Sequence, residues 1–252
     1  MRRFLAAMRF LTVIPFPGSW GTDESSLADS TIFFPVVGLL IGLGAAGIAA
    51  CAVRWLPAGP AAAVVIISLL AVSGGLHMDG LSDTADGLLS ARPRERALEI
   101  MRDSHVGAMG VIAIVCVLML KFAALASLPV TGLWRTALLM PVAGRVALVV
   151  TMALLPYARP EGGLATSFYR GRSMLAALSA EVVLFAAAWL VLGMAGLIAA
   201  ATSLAAVLIF AVYTYRRIGG ATGDTLGAAC EIAELVPAMA MAAWYFNAGG
   251  HP

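Results

Sequence analysis

Charge is what this sequence has least of. Of 252 residues only 12% are Asp, Glu, Lys or Arg, while 61% are hydrophobic. Soluble domains run near 25% charged, because a water-facing surface needs ionised groups to stay hydrated. A water-solvated exterior over most of the chain is therefore excluded, and repeated apolar runs of about 20 residues name lipid as the alternative solvent. Cysteine is nearly as scarce. Cys51, Cys116 and Cys230 lie in apolar stretches with no CxxC spacing or Cys/His pairing, so no disulfide framework or zinc site is expected and all three read as buried small hydrophobes. The N-terminal MRRFLAAMRFLTVIPFP lacks a small-x-small cleavage site, and Arg9 interrupts its apolar core, so it is expected to be retained. Phe4, Met8 and Leu11 fall near one helical face, which suits a short interfacial helix within 1–17. A net charge of +2 says little about partners, and no nucleic-acid partner is expected. No internal repeat or soluble second domain is visible, and residues 1–252 read as one membrane-embedded catalytic domain.

The apolar runs predict an all-α, polytopic membrane helix bundle of seven spans, at about 32–53, 61–76, 108–127, 133–156, 175–193, 195–213 and 228–246. A tight hairpin is expected at Gly193–Gly196. Cationic loop residues resist translocation and so fix orientation. With the N-terminus cytoplasmic, all of the 16 Lys and Arg face the cytoplasm except Arg54 and Arg135 outside and Lys121 and Arg145 within spans. The long hydrophilic stretches at 76–107, 157–174 and 214–227 fall on that same side.

The densest of them is His77-Met-Asp79-Gly-Leu-Ser-Asp83-Thr-Ala-Asp86-Gly87, within a polar segment spanning 76–110. Spacing of i, i+4, i+7 puts three carboxylates on one helical face. Like charges so close repel, and at a membrane boundary desolvation adds to the cost. A divalent cation relieves both, and carboxylate oxygens suit Mg²⁺, which takes one or two carboxylates together with phosphate oxygens. A pair of such ions would clamp a pyrophosphate. The competing reading is a solvated stripe of acids.

Arg92, Arg94 and Arg96 either bind phosphate or merely set topology. Arg102-Asp103-Ser104-His105-Val-Gly107 stands just before the third span and is the better candidate for phosphate. The third cluster, Gly219-Gly-Ala-Thr222-Gly223-Asp224-Thr225, opens the last span, where helix N-terminal N–H groups suit an anion; its alternative role is helix capping. Glu231 and Glu234 continue this cluster into apolar sequence, and acids entering a span point to function. Arg145, mid-span, needs a buried partner, for which Glu181 is the plausible candidate. Tyr169, Arg170 and Arg172 either close over substrate or only set topology.

Taken together, Arg9-Phe-Leu-Thr-Val-Ile-Pro15, Phe34-Pro-Val-Val-Gly38, the run from Gly75 to Gly87, Arg102 to Gly107 and Gly220-Ala-Thr-Gly223-Asp224 resemble the cobalamin synthase family, the adenosylcobinamide-GDP ribazoletransferases, in order along the whole chain. The resemblance implies a Mg²⁺-dependent enzyme of the cytoplasmic (inner) membrane, with its site facing the cytoplasm. It joins adenosylcobinamide-GDP to α-ribazole or α-ribazole 5′-phosphate and releases GMP; oligomerisation is left open. The expected metal ligands are Asp79, Asp83 and Asp86, supported by Asp224 and Asp103. Arg102, Ser104, Gly107, Thr222 and Gly223 are expected at the phosphates, and His77, Asp83 and Arg102 in catalysis, with His77 or an aspartate as base. Loops 157–174 and 214–227 are expected to wall the corrinoid cavity. A fainter likeness links Asp83 to Arg92 with the CDP-alcohol phosphotransferases, but one residue too many precedes Ala91-Arg92. A transporter would instead show an internal repeat and acids spread through the midplane, and the sequence has neither.

Overall fold

The computed structural model describes all residues except 20, 160, 163, 164 and 249–252. Among the described residues the architecture is helical, in the order α1 (Arg2–Leu11), α2 (Glu24–Ala28), α3 (Phe34–Ala52), α4 (Ala58–Ser73), α5 (Leu76–Leu88), α6 (Arg94–Ile100), α7 (Ala108–Ala126), α8 (Val130–Leu154), α9 (Thr166–Arg170), α10 (Met174–Ile218) and α11 (Gly223–Asn247). Pro57, Pro93 and Pro129 stand immediately ahead of α4, α6 and α8, where a missing N–H leaves no intrahelical bond unmade.

The bundle is arranged around α8. An 18-residue apolar stretch of that helix is 89% buried, against 22% for the one in α7. Helix α3 lies against α8 through Gly38 and Gly42: a Cβ at Gly38 would stand 2.8 Å from the Pro141 carbonyl oxygen, and one at Gly42 would collide with the Leu138 carbonyl. In lipid, where apolar burial alone does not drive helices together, such small-residue faces supply close backbone packing. Gly42→Ala is therefore expected to cost about 1–3 kcal/mol through overpacking, read as a lowered thermal unfolding midpoint in detergent.

Two breaks shape the rest. Gly74 and Gly75 both adopt positive φ (61° and 73°), a region open to glycine, and α5 leaves α4 at 90°. Helical spacing continues through α10 formally, but Gly193 inside it is non-helical, at φ 60° and ψ −136°. A Cβ at Gly196 would collide with the carbonyl of Ala188. Eight residues of straight helix would rise about 12 Å, so the chain doubles back there, as the Gly193–Gly196 hairpin was expected to do. Five helices are long and apolar enough to cross a membrane, or six if α4 and α5 form one broken span. This count falls short of the expected seven because the two halves of α10, on either side of Gly193, are counted together. The second apolar run ends at Ser73 rather than 76.

Helix α1 is docked on the bundle. Ala6, Ala7 and Leu11 are fully buried, and Phe10 packs on Phe34 and Phe168 at ring-centroid distances of 6.0 and 4.4 Å. The Val13 N–H donates to the Val72 carbonyl at 2.9 Å. Burial of the cysteines holds only for Cys230; Cys51 and Cys116 are exposed on the outer surfaces of α3 and α7.

Candidate active site

The site forms where α5, from the first half of the chain, crosses the start of α11. Gly80 and Gly227 face each other with no side chain between: a Cβ at Gly80 would stand 2.8 Å from the Asp224 carbonyl oxygen and 3.2 Å from Gly227 Cα. This approach brings Asp224 beside the aspartate stripe, and Asp79, Asp224 and Asp86 are the acidic neighbours whose fields act on Asp83. Asp79 is exposed and Asp83 half-buried. Among the described residues neither carboxylate has an ion pair or a hydrogen bond.

Asp224 is held from two sides. A short parallel bridge joins Tyr157 to Ala221, with Ala158 N–H donating to Ala221 O and Ala221 N–H to Pro156 O, both at 2.8 Å. That bridge brings Arg159 alongside, and its guanidinium donates to Asp224 at 2.6 Å. Thr222 donates its hydroxyl proton to the same carboxylate at 3.2 Å and accepts from the Thr225 N–H at 3.3 Å, closing a capping box at the start of α11. Thr222 is thus the helix cap and is fully buried.

Asp86 sits on the stripe but has other commitments. Its two oxygens accept from the Gly107 and Gly110 N–H groups at 2.7 and 2.9 Å, so one carboxylate from α5 caps the N-terminus of α7, where the helix dipole favours negative charge. Asp103 pairs with His105 at 2.6 Å; that bond holds the Asp103 carboxyl below the usual carboxylate range and raises His105. Arg102 is ion-paired with Glu161 at the surface, and Ser104 is exposed. Of the expected set, then, Asp79, Asp83, Asp86 and Asp224 come together, while Arg102, Asp103 and Ser104 lie in an exposed loop where Arg102 and Asp103 pair with other residues. Arg94 donates to the carbonyls of Ile218 and Ala158 at 2.7 and 3.1 Å, closing the C-terminus of α10.

The intramembrane charges resolve into a compact quartet. Lys121 of α7 bridges Glu231 at 2.6 Å and Glu234 at 3.0 Å, and Arg145 of α8 pairs with Glu234. All four are buried, and two acids balance two bases. Arg145 therefore pairs with α11, not with Glu181 as expected; the Glu181 Oε2 atom has no hydrogen-bond partner. The reason is geometric, since Gly144 lies against Glu234 and Cys230 and sets the next residue beside the same helix.

Two spaces open at Asp79. One is a cavity of about 210 Å³ walled by Phe10, Phe34, Leu148, Met152, Phe168 and Leu226, with His77, Asp79, Arg159 and Asp224 among its few polar lining groups. His77 is buried, and its Nε2 has no hydrogen-bond partner. The other is an open groove of about 1020 Å³ along α1, α4, α5 and α7, bordered by Arg9, Ser73, Asp79 and Ser82. Phe10, Leu76 and Asp79 border both. Both expected loops contribute to the smaller cavity, through Tyr157, Ala165 and Phe168 and through Gly223 to Gly227; residues 160, 163 and 164 of the first lie outside the described residues.

Among the described residues no group of three or more His, Cys, Asp or Glu forms a ready-made metal cage. The donor chemistry nonetheless fits Mg²⁺. Two partnerless carboxylates one turn apart, with a third beside them, match an ion that takes one or two protein carboxylates and completes its shell with phosphate oxygens and water. Sequence reasoning missed Arg159, Lys121 and the Phe10–Phe168 wall. Arg159 stood in the sequence only as one more loop cation, and the aromatic wall draws on three separated segments.

The family model for cobalamin-5-phosphate synthase matches residues 3–242. Proteins named adenosylcobinamide-GDP ribazoletransferase are similar along nearly the whole chain. The one from Acetivibrio thermocellus is 41% identical over 92% of this chain and 94% of its own length. The one from Roseiflexus sp. is 43% identical over 91% and 85%, and that from Citrobacter koseri 38% over 94% and 98%. No solved structure matches. Matched by that family model from α1 into α11, the chain belongs to the cobalamin-5-phosphate synthase family.

Proposed function

We propose that the chain is a Mg²⁺-dependent adenosylcobinamide-GDP ribazoletransferase, joining adenosylcobinamide-GDP to α-ribazole or its 5′-phosphate. The observation that carries this is the gathering of Asp83 and Asp224 beside Asp79, which borders both spaces, in a chain of this family. A ribose hydroxyl oxygen bonds to the phosphorus attached to the cobinamide. The bond from that phosphorus to the bridging oxygen breaks, and GMP leaves with the electron pair. The hydroxyl proton passes to a carboxylate within reach. Asp79 suits this role because it borders both spaces and has no competing partner, whereas both Asp86 oxygens are engaged. Mg²⁺ held by Asp83 and Asp224 would supply Lewis-acid charge neutralisation at the pyrophosphate. Arg159 fixes the Asp224 carboxylate for that task and adds a cation beside it.

The same proposal takes the chain to be a protein of the cytoplasmic membrane, with the halves of α10 as separate crossings. It then has seven crossings with an inside N-terminus, the side favoured by the arginine distribution. Purified protein in detergent, given adenosylcobinamide-GDP, α-ribazole 5′-phosphate and Mg²⁺, should release GMP in step with a new corrinoid product. EDTA should stop release and excess Mg²⁺ restore it. Folded protein that makes no product, or turnover indifferent to EDTA, would overturn the activity or its metal dependence respectively.

A further inference from the structure

We propose that Arg159 contacts substrate directly: its guanidinium holds Asp224 with one amino group and takes a phosphate oxygen of the adenosylcobinamide-GDP diphosphate with the other. The inference rests on the transferase function proposed above and adds to it the cation that reads the charge of the substrate.

A diphosphate brought among carboxylates needs positive charge from the protein as well as from an ion. Three of the arginines read as phosphate ligands in the sequence are committed elsewhere. Arg102 pairs with Glu161 and Arg96 with Glu99, while Arg94 donates to two carbonyls. Arg9, on the rim of the open groove, donates to the Phe16 carbonyl at 2.7 Å. Arg159 is placed differently. It lines the enclosed cavity together with Asp79 and Asp224, and among the described residues it is the one cation whose field acts on Asp83.

The bonding of its fork shows what is left over. Nη2 donates to Asp224 Oδ2 at 2.6 Å and to the Met101 carbonyl at 3.4 Å. Nη1 donates to no described residue and, unlike Nε, is not sealed from solvent. The side chain is only 11% exposed, and a guanidinium drawn that far out of water ordinarily has its N–H groups paired. Asp224 is half-used in the same way. Its bonds from Arg159 and Thr222 both end on Oδ2, so Oδ1 remains for an ion. Arg159 thus ties a carboxylate suited to Mg²⁺ to a donor suited to phosphate. The backbone beneath it is fixed by the Tyr157–Ala221 bridge and by the Arg94 bond to the Ala158 carbonyl, and a donor held in place loses little freedom on meeting its ligand. The diphosphate is the partner rather than the 5′-phosphate of the second substrate, because the bond that breaks at these carboxylates is its own and α-ribazole carries no phosphate.

The test uses full-length protein in detergent. Inorganic pyrophosphate is titrated by calorimetry at saturating Mg²⁺, and Mn²⁺ is titrated without pyrophosphate by electron paramagnetic resonance. Arg159→Gln is expected to weaken pyrophosphate binding at least tenfold, the usual scale for one lost charge-assisted hydrogen bond, while Mn²⁺ affinity stays within threefold. In steady-state GMP release the same variant should raise KM for adenosylcobinamide-GDP at least tenfold and leave KM for α-ribazole and its 5′-phosphate within twofold. Pyrophosphate affinity that is unchanged, or that falls no further than Mn²⁺ affinity does, would reduce Arg159 to positioning Asp224 and overturn the assignment. So would a KM raised for α-ribazole 5′-phosphate alone, which would move the cation to the other substrate. Should Arg159→Gln fold poorly, Arg159→Lys keeps a charge for Asp224 without the fork. Threefold weaker pyrophosphate binding by that variant would support the shared guanidinium, and equal binding would refute it. Pyrophosphate binding needs no turnover, so a wild type that binds it through Arg159 yet releases no GMP would sink the transferase function and leave this contact standing.

Discussion

Asp83→Asn is expected to lower kcat by about 10³-fold, roughly 4 kcal/mol of transition-state stabilisation, while leaving the protein as stable as wild type or more so. Both halves follow from the same contacts. Asp83 has no ion-pair partner, and among its charged neighbours Asp79, Asp224 and Asp86 outweigh the single cation Arg159. Removing its charge therefore relieves repulsion in the metal-free protein, and Asn keeps the shape. Function loses what stability gains, because a residue kept for its charge at a site is kept against the interest of the fold. Asp86→Asn should behave in the opposite sense. Its carboxylate accepts two N–H bonds at the start of α7, and an amide has only one oxygen to offer, so stability falls by about 1 kcal/mol, the usual scale of a lost helix cap. GMP release and thermal midpoints measured in parallel separate the two. An Asp83→Asn protein that is unstable, or that keeps turning over, would remove Asp83 from the reaction centre.

Lys121→Met is expected to be the most damaging single change to the fold, at about 3–5 kcal/mol. The ammonium group is buried between Glu231 and Glu234 at 2.6 and 3.0 Å. Without it Glu234 keeps Arg145, but Glu231 is left charged and unpaired inside the bundle. Burying a lone carboxylate costs more than the pair ever contributed, since the pair had first to recover its own desolvation. The double variant Lys121→Met/Glu231→Gln removes one charge of each sign and should regain more than half of the lost stability. Thermal midpoints of the two variants decide this. A single variant within 1 kcal/mol of wild type would mean that water reaches the quartet.

Much of the site could be read in the sequence, and the reason is local. Asp79, Asp83 and Asp86 share a helical face by spacing alone, and the Gly193–Gly196 turn announces itself between two apolar runs. Partnerships across distance could not be read in the same way. Lys121 meets Glu231 from 110 residues away, and nothing in the periodicity of α7 distinguishes Glu231 from Glu181 as a partner for buried cations. Asp86 illustrates the limit. Its position on the stripe was correct, but only the approach of α7 shows that its oxygens are taken. Arg159 reaches Asp224 because of a two-residue bridge between Tyr157 and Ala221, a contact with no sequence pattern of its own.

The crossing of α5 by α11 has a consequence in time. Asp224 is encoded about 140 residues after Asp83, and at 5–20 residues per second the ribosome takes about 7–28 s to cover that distance. Through this interval the fifth helix has emerged with its acidic face uncovered and the Gly80 surface unmatched. The final helix arrives last and closes both at once, so a chain truncated before it would have most of its crossings and no reaction centre.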